Sequence, residues 1–309
     1  MSRTSTLTRW PTRELVCGFD RPGGGWLEVK GRVVGPSEAP ASLVIGGVSA
    51  GRRLVADEAG QGWWPGVAGA GGALDPSRRQ LISFDFIGEE AAPFPSLADQ
   101  AAAGLAVCDA AGVDRFSLIG ASFGGVIALD IAARAPERVR RVAALCAAAR
   151  PNPMATAWRS VQRNIVEFAR QAGRGPAGVK IARQLAMTTY RSGEEFDHRF
   201  TAPDPDSRDA SGVEAYLAAA GERYAKFTPP ERFLALSRSM DSADPRVEAI
   251  TAPVRFLAVT SDQLVPPRDI HRAAARIKEV EVAEIESLYG HDGFLKEVEA
   301  VNAFLKADR

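Results

Sequence analysis

The chain has 309 residues, 46% of them hydrophobic and 25% charged, and a formal net charge of zero. That length supplies one large domain, or a core with an insertion, and the balanced charge gives no electrostatic argument for nucleic acid or an anionic membrane. The three cysteines, Cys17, Cys108 and Cys146, are far apart in apolar segments, which argues against a disulfide frame or a metal site and for small buried hydrophobes in a reducing compartment.

Residues 1–13 are polar and lack a hydrophobic run, so no signal peptide is expected, and no apolar stretch approaches a membrane span. The chain reads as cytoplasmic. Strand patterns then appear over residues 15–19, 26–34, 41–47 and 79–86. Residues 60–75 are glycine-rich around Trp63-Trp64-Pro65 and lack the Lys-Ser/Thr of a phosphate loop, so they read as an irregular loop. A helix is predicted over 96–111, a strand from Phe116, a helix after Gly125, and a strand over 138–144. This alternation implies a largely parallel sheet with helices on both faces, an α/β fold.

The pattern changes after Pro151-Asn152-Pro153, and only helices follow to about Asp244. Trp158, Val161, Ile165 and Phe168 give one apolar stripe at helical spacing; further helices are predicted over 176–190, 211–224 and 230–240. Strand pattern resumes at Val254 and again over 280–285, before a C-terminal helix. The expected organisation is a core of residues 1–150 and 246–309 with a helical lid, 151–245, that walls and roofs a pocket.

Within this framework Gly120-Ala121-Ser122-Phe123-Gly124 runs from an apolar strand straight into a helix. A serine at so sharp a turn sits in a strained conformation, so small residues must flank it, and the helix start offers N–H groups to an oxyanion. Of the three histidines, His198 lies in a charged helix and His271 one turn into another. His291 lies in Gly290-His291-Asp292-Gly293, on a loop beyond the last strand. Asp262 ends a buried-looking strand before Pro266-Pro267. Ser122, Asp262, His291 is the chain order in which this architecture presents nucleophile, acid and base.

Taken together these residues resemble the homoserine O-acetyltransferase family, a branch of the α/β-hydrolase fold that acylates amino-acid hydroxyls from acyl-CoA. The likeness rests on Gly120-Ala121-Ser122-Phe123-Gly124-Gly125, Ser261-Asp262-Gln263-Leu264-Val265-Pro266-Pro267, Gly290-His291-Asp292-Gly293-Phe294-Leu295, the lid run from Ala182 through Arg183, Met187 and Tyr190 to Ser192, and the run from Phe233 to Asp241. It spans about residue 41 to the C-terminus. The resemblance implies that Arg183 meets the substrate carboxylate and Asp292 its ammonium, with Tyr190 beside them. Arg183, Met187 and Tyr190 are spaced i, i+4, i+7 and share a helix face. An arginine on a largely apolar inward face needs an anionic partner, the alternative being one that snorkels to the lid surface. Asp292 also reads as an N-cap of the C-terminal helix.

The sequence departs from the family at the oxyanion loop, usually His-Ala-Leu-Ser-Gly and here Gly46-Gly47-Val48-Ser49-Ala50-Gly51. The backbone N–H of Val48 still pairs with that of Phe123 around an oxyanion, since both donors are main-chain. The changed loop is of a kind associated with members that prefer L-serine. Succinyl-using members often carry an arginine two residues after the acid; here Leu264 stands there, which leans the donor toward acetyl-CoA, while Arg52 or Arg53 beyond the loop offers a charge for a succinyl carboxylate. The expectation is therefore a ping-pong acyltransferase from acetyl- or succinyl-CoA to L-homoserine or L-serine, feeding methionine or cysteine synthesis. It needs no bound cofactor or metal, and it forms a homodimer through the lid helices. The alternatives are a lidded esterase using water as acceptor and a non-catalytic binding protein on the same scaffold.

Overall fold

Eight strands form one sheet: β1 (Thr12–Asp20), β2 (Trp26–Val34), β3 (Ala41–Ile45), β4 (Gln80–Phe84), β5 (Phe116–Ala121), β6 (Val139–Leu145), β7 (Val254–Val259) and β8 (Val280–Ile285). Their order is β1-β2-β4-β3-β5-β6-β7-β8. The computed structural model describes residues 10–92, 94–200 and 211–307; residues 1–9 of the polar N-terminal stretch and residues 201–210 of the helical segment lie outside these. β1 and β2 form an antiparallel hairpin and β2 pairs antiparallel with β4, whereas every pair from β4 to β8 is parallel. β3, β4 and β5 are buried along their whole length, as continuous apolar runs covered on both faces must be. The edge strand β8 has no fully buried position: Glu281 and Glu284 are exposed and the rest are half-buried.

From β3 the chain steps to β4 on one side and to β5 on the other, so the strand order reverses there. In such sheets the carboxyl ends of the strands at the reversal leave a crevice for ligands. Here those ends are Gly46-Gly47 after β3 and Ser122 after β5.

One face is covered by α1 (Leu97–Ala110), α2 (Phe123–Arg134) and, near the β7 side, α8 (Pro267–Ala274). Ser96 starts α1 with a capping box, its hydroxyl accepting from Asp99 N–H while the Asp99 carboxylate accepts from Ser96 N–H. The other face is packed by α10 (Val298–Lys306), through Val301, Phe304 and Leu305, and by the glycine-rich loop. That loop contains only isolated bridges, yet Trp64, Val67 and Leu74 are fully buried in it. It fills a place that a helix usually takes in an α/β protein.

Among the described residues, five helices intervene between β6 and β7: α3 (Pro153–Gln171), α4 (Gly175–Tyr190), α5 (Gly193–Phe200), α6 (Ser211–Ala225) and α7 (Pro230–Asp241). They hold a small core of their own from Val166, Val179, Ala182, Phe233 and Leu234. The stripe read on α3 does not face this core as a unit. Val161 is 50% and Phe168 77% exposed, while the buried positions are Ala155, Gln162 and Val166. The stripe is split: Trp158 lines the cavity and Ile165 packs against the small core, while Val161 and Phe168 face out. After β8 the chain makes a 3-10 turn over Gly290–Asp292 and a short α9 (Gly293–Lys296) before α10.

Candidate active site

Ser122 sits between β5 and α2 with φ 54° and ψ −124°, a conformation that costs a non-glycine residue about 1–3 kcal/mol. The neighbouring backbone enforces it. A Cβ on Gly120 would stand 2.3 Å from Gly124 O, and one on Gly124 would stand 2.2 Å from Ile45 O, so only glycine fits at either place. Ser122 N–H donates to Leu145 O at 2.8 Å and its own carbonyl accepts from Gly125 N–H at 2.9 Å. The turn is thus fastened to β6 on one side and to α2 on the other.

The Ser122 hydroxyl lies 2.7 Å from His291 Nε2, and His291 Nδ1 lies 2.7 Å from Asp262 Oδ2. The other carboxylate oxygen, Oδ1, accepts the N–H groups of Leu264 and Val265 at 2.8 and 2.9 Å. With its acid so fixed, the neutral imidazole carries its proton on Nδ1 and offers Nε2 to the hydroxyl. Burial alone would lower the imidazole pKa. The charge and hydrogen bond of Asp262, joined by the charge of Asp292, outweigh this and raise it above the ordinary histidine value, while Arg159 pulls the other way. Tyr190 and Phe294 flank the ring at 6.0 and 5.9 Å between centroids. Cys146, at φ 49° the other strained non-glycine residue described, shares the cavity. Burial and the Asp262 charge hold its thiol well above the usual range, which leaves Ser122 as the nucleophile available to this base.

The N–H groups of Val48 and Phe123 have no acceptor among the described residues. Phe123 opens α2, where helix N–H groups are unpaired by geometry; Val48 lies inside a turn closed by Ala50 N–H to Gly47 O at 2.7 Å. Gly124 N–H donates to Gly46 O at 3.1 Å and ties that turn to the elbow. Two main-chain donors beside a serine–histidine pair can stabilise an oxyanion on an acyl group attached to Ser122.

These groups open into a cavity of about 250 Å³ between the strand ends and the insertion, lined by Gly47, Val48, Ser49, Phe123, Arg183, Tyr190, Leu264 and Asp292 among others. The Arg183 guanidinium rests on the rings of Tyr190 and Tyr224, at 5.0 and 4.6 Å, and donates to Ser49 Oγ at 3.3 Å. It has no carboxylate partner among the described residues. The Asp292 carboxylate lies 3.0 Å from Arg191 Nε, and Arg191 in turn holds Glu195 at 3.0 Å. Asp292 makes no side-chain cap to the helix that follows it, so the N-cap reading does not hold. Met187 is buried but does not line the cavity, whereas Ala186 does.

Three positions expected to shape specificity lie elsewhere. Arg52 is bound by Asp85 and Glu14, and Arg53 by Asp57; neither lines the cavity, because carboxylates of β1 and neighbouring loops claim both guanidinium groups. Gly46 faces Ala50 and Trp63 instead of the cavity. Conversely, Arg159, Gln162 and Tyr224 line it without having been singled out. Arg159 and Gln162 were hidden by the apolar stripe beside them. Tyr224 ends a helix whose inward face carries no strong period. Among the described residues no group of His, Cys, Asp or Glu is arranged to hold a metal ion, and no helix is long and apolar enough to cross a membrane.

Comparison with known proteins places this geometry in context. The alpha/beta hydrolase fold family matches residues 60–298. A homoserine O-succinyltransferase from Xanthomonas campestris pv. campestris is 37% identical, over 94% of this chain and 82% of its own length. A homoserine O-acetyltransferase from Deinococcus radiodurans is 32% identical, over 88% of this chain and 84% of its own length. Among solved structures, the homoserine O-acetyltransferase from Staphylococcus aureus superposes with a TM-score of 0.82 at 23% identity, covering 97% of this chain and 95% of that one. Esterase E22 superposes with a TM-score of 0.84 at 17% identity, covering 97% and 99%; at these identities both structures speak for the fold alone. With relatives so similar over nearly its whole length, the chain is an acyltransferase and belongs to the homoserine O-acyltransferase family of the α/β-hydrolase fold.

Proposed function

We propose that the protein transfers an acyl group from an acyl-CoA thioester to the side-chain hydroxyl of L-homoserine or L-serine. The observation that carries this reading is the pair of opposite charges set on the cavity wall beside the nucleophile, Arg183 and Asp292. A neutral ester and water need neither; the carboxylate and ammonium of an amino acid need both.

In the first half-reaction His291 Nε2 takes the Ser122 proton as Oγ attacks the thioester carbonyl. The C–S bond breaks, the proton passes to the departing CoA sulfur, and an acyl ester remains on Ser122. Val48 and Phe123 N–H groups hold the oxyanion formed on the way. In the second, His291 takes the proton of the acceptor hydroxyl, whose oxygen attacks the ester. Ser122 leaves as the alkoxide and recovers the proton from His291. Asp262 orients the imidazole and balances its charge while it is protonated. The homoserine O-succinyltransferase and O-acetyltransferase relatives favour homoserine as acceptor, and the oxyanion loop favours serine. The same reading supplies a precursor for methionine or cysteine in the cytoplasm. It also pairs two copies through the insertion, where Met154, Val161 and Phe168 stand exposed seven residues apart along α3.

The test is thiol release from acetyl-CoA and succinyl-CoA with and without a panel of amino acids. Sustained release only with homoserine or serine is expected. Equal release with water alone would make the protein a hydrolase and sink the transferase reading. Sedimentation of the full chain at micromolar concentration checks the dimer.

A further inference from the structure

Asp292 belongs to two environments. It lines the cavity, while Arg191 and Glu195, to which it is linked, lie behind the wall. There two carboxylates share one guanidinium: Arg191 Nε lies 3.0 Å from Asp292 Oδ2, and Arg191 Nη1 donates to Glu195 Oε1 at 3.0 Å. The three side chains are at most 14% exposed. Arg199 approaches Glu195 only to 3.8 Å and is half-exposed, so solvent screens most of its charge. One negative charge is left over in a buried cluster, and that is costly until a cation answers it.

The two contacts of Arg191 are unequal. The one to Glu195 is a directed hydrogen bond. The one to Asp292 is a contact of charges, because Arg191 Nε has no well-aligned acceptor although Oδ2 is close. The second oxygen of Glu195, Oε2, is buried and has no partner. A planar guanidinium can take both oxygens of one carboxylate, so Glu195 offers Arg191 a second and better-bonded seat. The backbone around the cluster is held. Ser192 Oγ accepts from Glu195 N–H at 3.0 Å and donates to Leu288 O, and a Cβ on Gly290 would stand 2.7 Å from Tyr190 O. The insertion is thus docked main chain to main chain on the loop of His291 and Asp292, which leaves the Arg191 side chain to choose between two fixed carboxylates.

We propose that Arg191 is an exchangeable counter-ion for Asp292: it rests against Asp292 when no acceptor is bound and passes to both oxygens of Glu195 when the ammonium of an acceptor claims Asp292. The inference rests on the amino-acid acceptor proposed above and adds two positioning residues, Arg191 and Glu195, that act through Asp292 without touching the substrate. With an ammonium in place each carboxylate has one cation, and the surplus charge is gone. An acceptor without an ammonium brings no charge to complete the exchange, so the cluster discriminates against it.

The experiment measures kcat/KM for homoserine or serine and for the same hydroxy acid without its amino group, in the wild type, Glu195→Gln, Arg191→Met, the double variant and Asp292→Asn. The ratio of the two efficiencies is the ammonium preference. Glu195→Gln weakens the second seat of Arg191, so the preference should fall about tenfold through the KM of the amino acid, while the first release of CoA changes less than about twofold. In Arg191→Met the rival cation is gone; the preference should hold, and adding Glu195→Gln should then change it less than about twofold. A preference that Glu195→Gln leaves alone and Asp292→Asn destroys overturns the exchange and leaves the acceptor reading standing. A preference that collapses in Arg191→Met as far as in Asp292→Asn makes Arg191 a fixed part of the site and also overturns it. So does a Glu195→Gln loss shared by both acceptors and by CoA release, which marks a structural role only. A wild type with no ammonium preference overturns the acceptor reading as well. Glu195→Gln and Arg191→Met each decide alone, should the other fail to fold.

Discussion

The sheet and the insertion meet at one cavity but hold their functional groups by different means. In the sheet the backbone does the holding. Ser122 is fixed by its own strained dihedrals and by the carbonyl of a neighbouring strand, and the oxyanion donors of the proposed reaction are main-chain N–H groups. In the insertion side chains hold side chains: Arg183 lies between two tyrosine rings, and Arg159 and Arg163 share Asp241. Geometry of the first kind survives changes of side chain. Geometry of the second can be redrawn by one substitution. On the proposed reading, the chemistry resides in the part that is hard to alter, and the choice of substrate in the part that is easy to alter.

The comparison breaks if changes in the sheet affect some substrates and not others. Ser122→Ala should remove at least about 10⁴-fold of turnover with every donor and acceptor while leaving the thermal midpoint within a few degrees. Intact-mass measurement of the wild type with acyl-CoA alone should show one adduct, lost in the variant. Intersecting initial-rate lines with no adduct would mean direct transfer in a ternary complex. In the insertion and on the loop it meets, Arg183→Ala and Asp292→Ala should each slow acylation of the amino acid about a hundredfold, far more than they slow the first release of CoA. Equal slowing of both half-reactions would remove the acceptor assignment.

A third substitution tests the claim that backbone sets the elbow. Gly124→Ala places a Cβ 2.2 Å from Ile45 O and should cost about 2 kcal/mol or more of unfolding free energy, read from the urea midpoint. An unchanged midpoint would show that the strand ends give way easily. The smallest effect is a shift in pH dependence. In the proposed mechanism neutral His291 is the base, so the rate of acyl-enzyme formation should rise with pH through the raised His291 pKa. Asp292 is one of the groups that raise it, and Asp292→Asn should therefore move the acidic limb to lower pH. Movement to higher pH would contradict the electrostatics of the site.

Much of the sheet could be read from the sequence because the relevant signals are local. Gly120 and Gly124 are required by contacts within the elbow, and Asp262 and His291 each follow a strand of strong β pattern. The helices over 176–190 and 230–240 likewise carry their own start signals in Pro176 and Pro230. What stayed hidden depends on partners distant in sequence. Nothing near Arg52 announces that Glu14 and Asp85 will claim it, and nothing near Asp292 announces Arg191. On α3 the apolar residues misled as to phase: Val161 and Phe168 point outward, and the helix gives Gln162 and Arg159 to the cavity. Hydrophobic periodicity marks an inward face only when water covers the other side. A helix that gives polar side chains to the cavity it roofs and carries an exposed apolar row violates that condition.

The loop that replaces a helix on the second face has an optical consequence. Trp63 and Trp64 stack within it, centroids 4.9 Å apart and planes 15° from parallel. Trp64 is buried and donates its indole N–H to Phe294 O at 3.0 Å, three residues beyond His291, while Trp63 lies on the cavity wall. Two indoles so close share their electronic transitions, and one of them lines the cavity into which Ser122 opens. If Ser122 is acylated as proposed, this native chromophore pair should report its loading through emission and near-ultraviolet dichroism, and stopped flow should then time acyl-enzyme formation without any label.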